Sequence, residues 1–137
     1  MVRRLPLLLP LVATALAACS TTPVPLSEAN FTADQYLYRT ASADTAPVTV
    51  RRDRGFYGAA CATRIYANGG LAARLQAGEA VVLNIPAGEV ILGAEPGTLC
   101  PGNLVEREAT LQAGKPVHFR VGIPTNGNLG LYRTMDK

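Results

Sequence analysis

Three cysteines and one histidine carry most of the reactive side chains of this 137-residue chain. Cys19 closes a run of small residues, LAAC, and a polar stretch with two prolines, STTPVPLSEAN, follows it. Cys61 and Cys100 stand 39 positions apart, in a region of short apolar alternations. A thiolate can attack an activated carbon, ligate a metal or join another thiol. Neither a CxxC pair nor a cysteine–histidine cluster is present, so the spacing for a metal centre or a redox pair is missing. His118 falls on the even-numbered side of its segment, in phase with Arg120, and the sequence offers it no partner for general-base work. Beyond residue 20 the serines are Ser27 and Ser42, both in loop-like sequence, which argues against a serine–histidine–aspartate arrangement. Asp44 and Asp53 lack the spacing of a calcium loop. The remaining chemistry is charge. Arg51, Arg52 and Arg54 beside Phe56 and Tyr57 form a candidate partner-binding patch, because arginine and tyrosine are enriched at interface hot spots.

The residues ahead of Cys19 explain that cysteine. Arg3 and Arg4 open the chain, and positions 5–18 carry no charge. A basic start, a short apolar run and small residues before a cut are the layout of a secretory signal peptide. As a helix the run would cover about 21 Å, short of the ~30 Å hydrocarbon core of a bilayer. Leu16-Ala17-Ala18-Cys19 resembles the bacterial lipobox. That resemblance implies cleavage before Cys19, thioether lipidation of its sulfur and acylation of the new amino end. Ser20, in place of an aspartate, implies outer-membrane sorting with the folded part facing the periplasm. Residues 1–18 are therefore expected as a cleaved signal peptide, 19–47 as a lipidated cysteine and flexible tether, and 48–137 as the folded domain.

Cleavage changes the charge balance. Without Arg3 and Arg4, 11 Lys/Arg face 10 Asp/Glu, a net charge of +1. With no basic helix and no stacking platform, the chain has no footprint for nucleic acid. In an oxidising compartment, Cys61 and Cys100 are expected to form one disulfide once Cys19 is lipidated.

The elements that must position these residues read as strands. Segments 48–52, 60–67, 71–76, 79–85, 89–94, 104–111, 116–122 and 129–133 alternate apolar and polar residues. Turn chemistry separates them, including Asn68-Gly69-Gly70, Pro86-Ala87-Gly88 and Asn126-Gly127-Asn128. Residues 31–39 read equally as a helical turn or a strand. The spacing predicts an all-β protein, a small antiparallel β-sandwich of seven or eight short strands. Cys61 shares the parity of Ile65, which aims its sulfur inward, and Cys100 lies in the long loop 95–103, which the bridge would pin. An internal echo supports the strand parity. LQAGEAVVLNI (75–85) and LQAGKPVHFRV (111–121) align so that Val81, Leu83 and Ile85 match Val117, Phe119 and Val121.

The stretch from Val48 to Ala94 also resembles a bacterial lipoprotein family whose domain of unknown function is related to PEGA-type surface modules. The likeness rests on Arg51-Arg52 ending a strand, the bend at Gly55 and Gly58, the turn reached at Gly70, Leu75-x-x-Gly78-Glu79 and Pro86-Ala87-Gly88-Glu89. The cysteine pair departs from that family. The resemblance implies a small β-sandwich on a lipid tether, with no catalytic residues to carry over. The functional expectation is a non-catalytic outer-membrane lipoprotein without cofactor or metal, an envelope module whose partner is another envelope protein or the cell wall. The alternatives are a periplasmic enzyme inhibitor acting through loop 95–103, or a small subunit of a secretion or pilus assembly.

Overall fold

Strand alternation becomes a two-sheet sandwich in the computed structural model, which describes residues 20–55 and 58–135. The signal segment 1–18, Cys19, Phe56 and Tyr57 lie outside the described residues. Nine strands are described: β1 Asn30–Phe31, β2 Thr45–Arg52, β3 Thr63–Ala67, β4 Gly70–Leu75, β5 Glu79–Pro86, β6 Gly88–Glu95, β7 Val105–Leu111, β8 Val117–Gly122 and β9 Gly130–Thr134. The eight expected strands correspond to β2–β9. One sheet has the order β1-β5-β2-β8-β9, the other β4-β3-β6-β7. Inward-facing residues of both sheets meet in one core, with Phe119, Ile65, Leu75, Leu83, Leu92 and Leu131 its largest buried side chains.

The parities hold. Val81, Leu83 and Ile85 on β5 and Val117, Phe119 and Val121 on β8 all point into the core. Asn68 and Gly69 both take positive φ, 47° and 81°, which lets two residues turn β3 into β4. Pro47 lies within β2, yet it sits one position before the first β8 pair, Val48 with Val117. Its missing N–H therefore removes no rung of that ladder.

The echo is structural. Each copy is a return from an outer strand of the four-stranded sheet, through a glycine at positive φ (Gly78 at 81°, Gly114 at 73°), into a strand beside β2. β4 returns into β5 and β7 returns into β8, so the two copies flank β2 on opposite sides. β5 runs antiparallel to β2 and β8 parallel to it. The sandwich is thus mixed rather than wholly antiparallel. Alternation reads the same in either direction, so it carries no sign of strand polarity.

Residues 20–47 differ from the expected tether. Val24 is 2 % exposed, a 3-10 turn spans Leu26–Glu28, and β1 pairs in parallel with the start of β5. Gln35 then bridges Ala73 of β4, and its amide donates to the carbonyls of Leu37, Tyr38 and Val82. This segment covers the edge of both sheets where β4 lies near β5. Edge strands carry unpaired backbone groups, and covering them removes a template for aggregation. Its apolar residues follow the contour of that seam, with no helical or strand period to reveal them.

Candidate functional site

Arg51 and Arg52 are neighbours on a strand and so leave it on opposite faces. Arg52 turns inward at the end of the sandwich and is 5 % exposed. Its Nη1 donates to the Leu75 carbonyl at 2.9 Å and to the Cys61 carbonyl at 2.5 Å, and its Nη2 donates to the Gly58 carbonyl at 2.6 Å. Burial lowers its pKa, against the raising effect of Glu79. It is a structural pin, which corrects its place in the expected surface patch. Arg51 turns to the outer face of the five-stranded sheet and is also 5 % exposed, because residues 23–25 lie beside it. Arg54 alone of the three is open to solvent, bonded to the Glu28 carboxylate at 3.0 Å and to the Glu28 carbonyl at 2.9 Å. The triplet therefore disperses in three directions. Charge counting suggested a patch, whereas strand parity already required two faces.

What gathers instead is a set assembled across strands. Arg51 on β2 stands in register with Arg120 on β8, which stands in register with Tyr132 on β9. The Arg120 guanidinium lies 5.3 Å from the Tyr132 ring centre, a cation–π contact, and its Nε is 3.6 Å from Asp53 Oδ1. Asp53 Oδ2 accepts from the Thr21 hydroxyl at 3.1 Å. Gly122 makes room for this carboxylate, since a Cβ there would come within 2.6 Å of Oδ2. Arg51 and Arg120 lie along an open groove of about 560 Å³, with Pro23 and Met135 on its walls, while Arg133 of β9 is in register with the inward-facing Phe119 and leaves its strand on the other face. The sequence held one signal for this site, the shared outward parity of Arg51 and Arg120. It gave no sign that β2 and β8 are neighbours.

Burial raises the Asp53 carboxyl above the ordinary carboxylate range, opposed by Arg120, the Thr21 hydroxyl and Arg51. A raised folded-state pKa means the folded protein holds that proton more tightly than the unfolded chain. The stability this contributes is present in acid and is lost as pH rises through the folded pKa. Asp53→Asn removes the effect. The stability of Asp53→Asn relative to wild type should therefore rise as the pH is raised from the ordinary carboxylate value of about 4 toward neutrality, as read by urea unfolding. A constant difference across that window contradicts the assignment.

Cys61 and Cys100 are joined, with Cα atoms 6.1 Å apart. Cys61 precedes β3 and is half-buried rather than a strand residue aimed into the core. The bridge does pin the loop after β6, whose Leu99 is 96 % exposed. His118 stands half-buried on the outer face between Thr49 and Thr134, and its Nδ1 is buried without a hydrogen-bond partner among the described residues. Also among the described residues, no cluster of three histidine, cysteine, aspartate or glutamate side chains could hold a metal ion.

Fold and site together define a small β-sandwich with an arginine-lined groove on the outer face of one sheet. No protein-family model matches the chain, and no curated protein matches it. The PEGA-like resemblance accordingly rests on its turn motifs alone.

Proposed function

We propose that this chain is a lipid-anchored module of the bacterial outer membrane, facing the periplasm, which binds or supports an envelope partner and performs no catalysis. The partner is another envelope protein or the cell wall. The observation that carries this reading is how soon after Cys19 the chain joins the fold. Thr21 N–H donates to the Ile123 carbonyl at 2.9 Å, and Thr22 and Arg54 exchange backbone bonds at 2.7 and 2.9 Å. A lipid on Cys19 would hold the sandwich directly against the membrane surface, with this end of the five-stranded sheet lowermost. A partner would then meet a fixed orientation.

Buried acyl chains contribute about 0.8 kcal/mol per CH₂ to membrane attachment, so two or three chains dominate partitioning. Cys19→Ala should lower the membrane-to-soluble ratio in fractionated cells by about tenfold or more. Unchanged membrane recovery of that variant rejects the anchor. Crosslinking in intact cells then identifies what the anchored module touches.

A further inference from the structure

On the reading that Cys19 carries the anchor, we infer that the arginine groove binds the phosphate of an anionic lipid in the anchoring leaflet. Arg51 and Arg120 line this one groove and come from two adjacent strands. Among the described residues, Asp53 is the one carboxylate within ion-pair distance of either of them. Two cations thus face a single anion.

Arg51 makes the imbalance acute. Its Nε is buried and has no hydrogen-bond partner among the described residues. A desolvated guanidinium with an idle donor is costly. Arg51 and Arg120 are also paired in register. Like charges directly opposite each other on a ladder repel. A tetrahedral oxyanion between them would occupy the idle donors and cancel the repulsion. Guanidinium forks match phosphate oxygens in pairs, which a single point charge does not.

Position selects the source of that phosphate. Pro23 lines the groove and lies four residues from Cys19. Four residues span at most about 14 Å, so the groove stays within reach of the headgroup layer. Tethering raises the local concentration of lipid phosphate far above that of dissolved phosphate. Pro23 and Met135 add an apolar wall suited to the glycerol and upper acyl carbons.

The test uses the chain from Ser20 onward, which contains every described strand and no acyl group. It is sedimented with phosphatidylcholine vesicles, with and without added phosphatidylglycerol. Phosphatidylglycerol vesicles should carry the protein down and phosphatidylcholine vesicles should not. Arg120→Gln should weaken that binding about fivefold. Arg107→Gln, the same charge change on β7 of the other sheet, should leave it unaltered. Arg120 is partly exposed, and a cooperative melting transition for each variant confirms that both fold. Equal losses from the two variants, or no preference for phosphatidylglycerol, overturn the inference. So does calorimetric binding of inorganic phosphate without vesicle binding, which reassigns the groove to dissolved phosphate. Since no acyl group takes part, failure here is distinguishable from failure of the Cys19→Ala fractionation.

Discussion

Arg52→Met should melt about 15 °C below the wild type, a loss of about 4 kcal/mol. Methionine keeps much of the apolar stem but none of the donors. Three backbone carbonyls, at Gly58, Cys61 and Leu75, lose the guanidinium that serves them. Buried acceptors left without a partner cost about 1–3 kcal/mol each, partly recovered where water can enter. The position joins distant parts of the chain, since Leu75 ends β4 while Gly58 and Cys61 belong to the turn before β3. Arg52→Lys retains the charge but replaces a rigid fork by one ammonium, so it should recover only part of the loss. Thermal unfolding of the three proteins decides the matter. A methionine variant within about 1 kcal/mol of wild type would mean that the three bonds contribute little net stability.

Breaking the bridge comes second. Cys61→Ser with Cys100→Ser should cost about 4 kcal/mol, the chain-entropy value for a closed loop of this length. The loop encloses β3 to β6, whose central ladder pairs Arg64 with Glu95. The same two residues form an ion pair at 3.1 Å, and the Tyr66 hydroxyl donates to Glu95 at 3.0 Å. The disulfide thus closes the chain beyond the end of that ladder, three residues before Arg64 and five after Glu95. It also holds Cys61, whose carbonyl Arg52 caps. The two losses should therefore fail to add, with a coupling on the order of 1 kcal/mol in a double-mutant cycle. Strict additivity would show that arginine and bridge act on separate units. Denaturant midpoints with and without reductant provide the reading.

Much of the sandwich was legible because its strands are half-buried and bounded by glycine turns. The trio on β5 and its echo on β8 show how period two marks the core face. The cysteine pair was legible from count and compartment. Three things were not. Strand polarity leaves no mark on alternation, so the parallel pairing of Val48 with Val117 could not be read. The cover formed by residues 20–39 follows an irregular seam, and Val24 is buried by a path rather than a period. The groove depends on which strands become neighbours across about 70 residues of chain, an outcome set by topology rather than local pattern. Within the arginine triplet, parity predicted the split between Arg51 and Arg52 that charge alone concealed.

The central place of β2 has a kinetic consequence. It is made early, yet its hydrogen-bonding partners β5 and β8 both follow it in the chain, and β8 comes next to last. Until β8 is available, one flank of β2 stays open, a sticky ribbon during biogenesis. Pairings so distant in sequence close slowly, and half-built sheets associate with one another. Newly made copies should depend on a holding chaperone until the last hairpin arrives, and truncation before Val117 should yield aggregates rather than a smaller soluble domain.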